Sequence, residues 1–417
     1  MISKKGITFF MVLMLLISSL LLIVGNNLPV FASYRWLWGP LFLFFVLIVQ
    51  PELYISRQMI NVMAFGFLYC GLLQYTLWNY ANDWYKKAVF EDFYAMIVIV
   101  LLFVYLRKNN YYDIFIKLAK VALVFLIITG VMTIIATSFE PEVVRASYSS
   151  GKELISNYDS LNRLGFGSYG YMTAVIAFFP ILVYFYKKKA TSHKEKWLII
   201  LSILFFVVVL IRAQIFANIL MAMAILLISF LGMSKLRKSI IIFILVGAVL
   251  LAIPTHYYAD LLVHFSGYFE KDSQNYYKLN DLSTFILNPE ISTSTNVGGK
   301  VERYPDLWRV FKAQPFFGDA SYQSSFGREI GTGGHLYWMS RLALWGIFGF
   351  CGYIIILVNI LKPVFKSFDP DFKFYYLLSI MAVVGMGFIK NLGGREIWLM
   401  LLFIIPGLYF SHYKSVQ

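Results

Sequence analysis

Apolar runs long enough to cross a lipid bilayer recur along almost the whole chain. A helix needs about 17 to 25 mostly apolar residues to span the hydrocarbon core. Composition agrees, since 59% of the residues are hydrophobic and only 14% are charged. We therefore predict an all-α fold, a polytopic membrane helix bundle. Its roughly twelve spans are expected near residues 7–25, 35–50, 59–79, 92–107, 112–137, 167–186, 197–211, 214–232, 239–254, 338–361, 374–390 and 396–411.

The long interval between the ninth and tenth spans divides the chain into three parts. Residues 1–254 would hold the first nine transmembrane helices and residues 337–417 the last three. Residues 255–336 form a predicted large extracytoplasmic loop with short surface helices, and loops of that length are usually functional. The first span follows Lys4 and Lys5, and its apolar stretch exceeds that of a secretory signal, so we expect it to be retained.

Basic residues set the expected orientation, because lysine and arginine in short loops mark the cytoplasmic side. Both termini are therefore predicted to be cytoplasmic. Topology also accounts for much of the net charge of +14, and we expect no nucleic-acid partner. The clusters on this side are Lys4/Lys5, Arg57, Arg107/Lys108, Lys187/Lys188/Lys189/Lys194/Lys196, Lys235/Arg237/Lys238 and Lys362/Lys366/Lys373.

One apolar segment, residues 197–231, has to cross the membrane twice because basic clusters flank it on both sides. At about 1.5 Å per residue, two crossings of a core of about 30 Å use nearly all of it. The reversal therefore falls near the middle, where Arg212 stands on the predicted outer side. Arg212 either reaches out to lipid headgroups or belongs to a site, since a guanidinium at membrane depth needs a partner.

Further positive charge falls on the predicted outer side, which the topology rule does not explain. Single members of this set can pair with acids of the same loops. As a group they indicate an anionic ligand at the outer face, because guanidinium groups match phosphate geometry. The outer cations are Arg145, Lys152, Arg163, Arg212, Lys300, Arg303, Arg309, Arg328, Lys390 and Arg395, with Arg341 near the outer end of its span.

A short helix is predicted inside the large loop. Pro305 suits a first helical turn, the helix would run through Ala313, and Pro315 would stop it. It would carry Trp308 and Phe311 on one face, so we expect it to lie at the membrane surface.

His335 stands out among the polar residues, because small residues precede it and an apolar span follows it at once. Gly333 and Gly334 let the backbone approach another group closely. An imidazole there either bonds a neighbouring carbonyl or accepts a proton from a hydroxyl.

Other catalytic or cofactor-binding motifs are sparse: the chain has no Walker loop and no dinucleotide fingerprint, and Cys70 and Cys351 cannot form a zinc quartet. We expect no metal and no cofactor.

The segment that begins at His335 resembles the signature of the O-antigen ligase and O-antigen polymerase (Wzy-type) superfamily. In that signature His and a usually polar residue precede nine residues and then Gly-x-x-G. Here His335 and Leu336 precede the nine residues 337–345, and Gly346 and Gly349 fall in register. The large outer loop is also placed as in that superfamily. Upstream, the chain is similar to the family's Arg, Trp, Pro and Gly pattern at Arg303, Trp308, Pro315 and Gly318.

The resemblance implies a glycosyltransferase that uses an undecaprenyl-diphosphate-linked oligosaccharide at the outer face of the cytoplasmic (cell inner) membrane. It implies that His335 is the general base for the acceptor hydroxyl and that Arg212 and Arg303 stabilise the departing diphosphate. Transfer would invert the anomeric carbon and need no metal. The further candidates are Arg145, Arg395, Arg309 and Arg341 for substrate binding, and Gly333, Gly334, Gly346 and Gly349 for positioning the loop.

The acceptor is left open by these residues. Leu336 replaces the usual polar residue, and Phe216 stands four residues after Arg212 where ligases commonly have leucine. A polymerase of lipopolysaccharide O-antigen, capsule or exopolysaccharide repeat units accommodates both changes more easily than a lipid A core ligase. A protein O-oligosaccharyltransferase is a further alternative that shares the donor chemistry. A flippase or transporter for the same lipid is the alternative of another class, but the spans carry few acids and no internal repeat. Membrane lipids, a flippase and a chain-length regulator are the expected partners.

Overall fold

All regular elements of the described residues are helices. The computed structural model describes residues 3–28, 37–64, 83–146, 155, 157–232, 254–269, 271, 274–288, 303–319, 336–390, 392 and 394–413. The α-helices of this part are α1 Lys4–Leu20, α2 Leu22–Asn27, α3 Gly39–Val49, α4 Arg57–Ala64, α5 Asp83–Lys108, α6 Tyr112–Phe139, α7 Val143–Ala146, α8 Tyr158–Arg163, α9 Tyr169–Tyr184, α10 His193–Arg212, α11 Phe216–Leu231, α12 Thr255–Ser266, α13 Gln274–Leu287, α14 Arg303–Ala313, α15 Tyr337–Lys366, α16 Pro370–Ile389, α17 Arg395–Leu399 and α18 Ile405–Tyr413. A 3-10 turn covers Pro51–Leu53, a π-helical turn at Phe185–Lys189 continues α9, and another at Met400–Ile404 joins α17 to α18.

Several of these helices are long and apolar enough to cross a membrane, so the chain is a membrane protein. The described residues contain four such helices, and shorter apolar helices cover Gly39–Val49 and Ala217–Leu231. The count of about twelve spans stays a prediction. The spans expected at 59–79 and 239–254 lie largely outside the described residues, and those expected at 7–25, 92–107, 197–211 and 396–411 coincide with helices that are not among the four. The four are Tyr112–Phe139, Tyr169–Lys189, Tyr337–Lys366 and Pro370–Ile389.

The reversal predicted near Arg212 is present. Helix α10 ends at Arg212 and α11 begins at Phe216, and Gln214 between them has a left-handed φ of 54°. The Lys187 ammonium, which lies before α10, bonds the Phe230 carbonyl at the far end of α11. The two helices therefore run in opposite directions, as two crossings require.

Ion pairs gather at the helix ends that the sequence assigns to the cytoplasm. The Lys5 ammonium lies 2.6 Å from the Asp113 carboxylate, which joins the starts of α1 and α6. Lys188 and Asp371 join the end of α9 to the start of α16 at 2.8 Å. These pairs tie together helix ends that are distant in sequence but share one end of the bundle.

Hydrogen bonds join the opposite helix ends. The Asn27 amide donates to the Arg163 carbonyl at 2.6 Å, and the Thr129 hydroxyl donates to the Leu20 carbonyl at 2.6 Å. The Gly167 N–H donates to the Thr133 hydroxyl at 2.8 Å, which fixes the start of α9 beside α6. The starts of α9, α15 and α17 and the ends of α6, α10 and α16 belong to this end of the bundle.

Short helices occur within the segment predicted as the large loop. Helices α12 and α13 pack against each other, and the Ser266 hydroxyl bonds the Asn280 side chain at 3.3 Å. The helix expected from Pro305 to Ala313 is present as α14, and its Trp308 and Phe311 rings lie 5.2 Å apart on one face. Helix α14 packs on α15, which brings this part of the loop to the bundle.

Candidate functional site

The start of α15 is the natural centre of the candidate site, because it directly follows His335. Leu336 is buried in a small apolar cluster with Leu307, Val310 and Ala343. Leu307 and Val310 belong to α14, so this cluster attaches α14 to the first turns of α15. The apolar side chain at position 336, which departs from the family pattern, therefore has a packing role here.

Helix α16 ends at the same place. The Tyr337 N–H donates to the Lys390 carbonyl at 3.3 Å. The Tyr304 hydroxyl, one residue after Arg303, donates to the Phe388 carbonyl. Partial burial raises the pKa of the Tyr304 phenol, so the hydroxyl keeps the proton that it donates. The segments that carry Arg303, Lys390 and the start of α15 thus meet.

A second group of polar residues reaches this place from α9 and α17. The Lys390 ammonium lies 5.2 Å from the centre of the Tyr169 ring. Ser168 caps α9 by accepting the Tyr171 N–H at 3.0 Å, and its hydroxyl also donates to the Glu396 carboxylate at 3.2 Å. Glu396 is buried in the first turn of α17. A chain of contacts therefore runs from the start of α15 through Lys390 and Ser168 to the buried Glu396, and Arg395 precedes Glu396 in the sequence.

Arg341 lies one turn into α15 and is fully buried. Its guanidinium carbon stacks 3.2 Å from the centre of the Tyr337 ring, and the Trp345 ring lies 5.3 Å away. Cation–π contacts of this kind are worth about 2 kcal/mol when desolvated. The predicted candidate Arg341 is therefore a buried cation held by aromatic rings at the same helix end.

Arg212 is placed at the end of α10, as predicted, but part of its side chain is already engaged. One terminal nitrogen donates to the Thr137 carbonyl at 2.7 Å and to the Ser138 hydroxyl at 3.0 Å. These bonds satisfy acceptors at the end of α6 and brace two helices. The Arg212 Nε is buried and has no hydrogen-bond partner within the described chain.

Arg309 forms a local ion pair with Asp306 of the same helix. The two side chains lie 2.6 Å apart, and that of Arg309 is 69% exposed. The predicted binding role of Arg309 therefore competes with an intrahelical pair, which is weak at such exposure. Among the other predicted residues, Arg395 begins α17 and is partly buried, and Gly349 is buried inside α15.

Several predicted residues cannot be compared with the structure. Arg303 begins α14 and Arg145 lies in α7, but their side chains are outside the described residues. His335, Gly333 and Gly334 are outside them entirely. Their roles remain predictions.

Glu396 and Ser168 were not singled out by the sequence reasoning. An acid in an otherwise apolar span is a usable signal, because charge within a membrane segment is costly without a partner. Ser168 carries no such signal, since its partner comes from a helix more than two hundred residues later. Within the described residues, no group of three or more His, Cys, Asp and Glu side chains is arranged to hold a metal ion.

Comparison with known proteins does not assign this chain to a family. Neither a protein-family model nor a curated protein matches it. Its class is defined by the fold alone: a helical membrane protein in which Arg341 and Lys390 lie against aromatic rings at one end of the described helices. Function therefore has to be argued from the residues at that end.

Proposed function

We propose that this protein is a glycosyltransferase of the cytoplasmic membrane that polymerises undecaprenyl-diphosphate-linked oligosaccharide repeat units at the outer face. The observation that carries the proposal is the packing of Leu336 against Leu307 and Val310. It links the residue that follows His335 to the helix that begins at Arg303. The base and one cation of the proposed reaction therefore belong to segments in direct contact.

The reaction is a displacement at the anomeric carbon of the donor sugar. His335 takes the proton of an acceptor sugar hydroxyl, and the hydroxyl oxygen forms the new glycosidic bond. The bond between the anomeric carbon and the diphosphate breaks, and its electron pair stays on the lipid diphosphate. Attack opposite the leaving group inverts the anomeric carbon, and no covalent enzyme intermediate forms.

Fixed cations supply the stabilisation that this leaving group needs. Negative charge grows on the diphosphate as the bond breaks, and preorganised guanidinium groups stabilise it without reorganisation. Arg303 and Arg212 are the proposed clamp, and Arg395 and Arg145 assist. The Arg212 Nε supports this assignment, because it has no hydrogen-bond partner among the described residues and a bound anion would satisfy it.

Deletion of the gene, followed by extraction of lipid-linked glycans, tests the proposal. We expect single lipid-linked repeat units to accumulate and long polysaccharide to disappear, and the cloned gene to restore both. Accumulation of long lipid-linked glycan would instead identify a ligase. Accumulation of single units confined to the cytoplasmic leaflet would identify a flippase and refute polymerisation.

Two histidine variants test the base in the same cells. His335→Ala should reach wild-type protein levels but fail to restore polysaccharide. His264→Ala is the matched control, since His264 is an exposed histidine of the same predicted loop. If the His335→Ala protein restores polysaccharide as well as the control does, His335 is not the base.

A further inference from the structure

Helix α15 is broken at Gly346, which has a φ of 64° and a ψ of −176°. In an unbroken α-helix the Ile347 N–H would donate to the Ala343 carbonyl. Here the Ile347 N–H donates to the Pro315 carbonyl at 2.8 Å, and the Ala343 carbonyl accepts the Asp319 N–H at 3.1 Å. The turn after α14 thus forms hydrogen bonds with both the Ile347 N–H and the Ala343 carbonyl, which would bond each other in an unbroken helix.

Two glycines interlock at this break. Gly318 has a φ of 75°, and a methyl group there would overlap the backbone of Gly346 and Leu344. A methyl group on Gly346 would overlap the Phe316 backbone. Both positions therefore need glycine for conformation and for close approach. We call this contact the glycine joint, formed by Pro315, Phe316, Gly318 and Asp319 against Ala343, Gly346, Ile347 and Phe348.

The glycine joint is a second attachment point for α14. It lies nine residues, or about 14 Å, along α15 from Tyr337, whereas the Leu336 cluster lies at the helix start. Backbone groups freed by a break find no water inside a bilayer and need protein partners. The joint supplies them, and the Phe316 and Phe348 rings stack across it at 5.6 Å.

We propose that Gly318 and Gly346 are positioning residues that hold α14 on α15 and thereby fix Arg303, the first residue of α14, relative to the start of α15. The effect on turnover rests on the proposed function, whereas the attachment of α14 does not. A helix held at two points cannot pivot about either one alone, so the position of its first residue is more tightly fixed. Loss of one point allows a displacement of about 1 Å or more, which is enough to lower catalysis about a hundredfold.

A cysteine at Val310 reports on the attachment, because Val310 is buried in the Leu336 cluster. The full-length chain carries Val310→Cys with Cys70→Ala and Cys351→Ala, and the rate of labelling by a water-soluble maleimide is measured in lipid nanodiscs. Adding Gly318→Ala or Gly346→Ala should raise this rate by about tenfold or more, as local opening becomes easier. An unchanged rate in both variants would overturn the proposal.

Two further variants make the labelling result specific. Gly232→Ala is the matched control, because Gly232 also has a positive φ of 74° but is not crowded by the described residues. A methyl group at Gly232 would come no closer than 3.8 Å to its nearest described neighbour, the Lys187 ammonium. It should label at the parent rate. Asp319→Pro removes the bond to the Ala343 carbonyl without adding a methyl group at the joint, and it should raise the rate even if the glycine variants fail to fold.

Turnover of extracted lipid-linked repeat units separates this proposal from the proposed function. Gly318→Ala should lower kcat about a hundredfold and leave KM nearly unchanged. Faster labelling with normal kcat would refute the positioning role. If the parent chain itself transfers no sugar, the proposed function fails, whereas the labelling rates still decide whether the joint holds α14.

Discussion

Replacing Asn218 with leucine should stabilise this protein. Asn218 stands in the first turn of α11 and is only 1% exposed. Neither its amide nitrogen nor its carbonyl oxygen has a hydrogen-bond partner within the described chain. Ala222 and Ile225, one and two turns further along, are buried on the same face of the helix. The amide is therefore a polar group in apolar surroundings.

The magnitude follows from the unpaired atoms. A buried donor or acceptor without a partner costs about 1 to 3 kcal/mol. Leucine has a similar shape and no polar atoms, so Asn218→Leu removes this cost and should raise the free energy of unfolding by about 1 to 3 kcal/mol. The gain should appear as a thermal midpoint several degrees higher in detergent micelles.

Asn27→Leu is the matched control with the opposite sign. The exposed Asn27 amide donates to the Ile23 carbonyl at 2.7 Å and to the Arg163 carbonyl at 2.6 Å, so leucine removes two hydrogen bonds. We expect Asn27→Leu to lower the midpoint while Asn218→Leu raises it. If Asn218→Leu lowers the midpoint by as much as the control, the Asn218 amide has a bonded partner and the reasoning fails.

Three other predictions address the cations, the helix caps and the packing. Arg303→Lys should lower the rate of glycan extension in membranes about tenfold or more, because a bidentate contact is lost. Arg107→Lys, at the predicted cytoplasmic end of the bundle, is the control and should extend glycan at the wild-type rate. If Arg303→Lys and Arg107→Lys extend glycan at the same rate, Arg303 is not part of the clamp. The pKa of Glu195 is lowered because its carboxylate accepts the Thr191 N–H. The stabilisation of the α10 start by this carboxylate is therefore complete above about pH 4.5 and is lost as the pH falls through the lowered pKa. Amide exchange in the first turn of α10, corrected for the intrinsic rate, should therefore quicken below about pH 4.5 in wild type but be pH-independent in Glu195→Gln. Gly130→Ala would place a methyl group 2.8 Å from a ring carbon of Phe205 and from the Tyr171 hydroxyl, and it should lower the free energy of unfolding by about 1 to 3 kcal/mol. An unchanged thermal midpoint would show that these two rings move aside.

Local features of the fold were predictable from the sequence. The helix start near Pro305, the stop before Pro315 and the reversal at Arg212 all depend on residues close together in the chain. Pro restricts φ and lacks an N–H, and two basic clusters cannot lie on the same side after one crossing. These constraints depend on local sequence and not on helix packing, so they can be predicted from the sequence alone.

The contacts of the candidate cations were not predictable in this way. Arg341, Arg309 and Arg212 are all candidate cations in the sequence. In the structure Arg341 stacks on Tyr337, Arg309 pairs with Asp306, and Arg212 bonds the end of α6. Which partner each finds depends on which helices are neighbours. In a membrane protein, helix faces that contact lipid and faces that contact other helices are both apolar, so hydropathy cannot identify neighbours.

The amino-acid sequence alone determined that the chain is helical and belongs to a membrane, because runs of apolar residues must satisfy their backbone hydrogen bonds internally. It also marked His335 and the outer cations as candidates. Only the tertiary structure decided that Leu336 packs on α14 and that Gly318 meets Gly346. These residues are separated in sequence, and steric fit between backbones becomes visible only when both segments are in place.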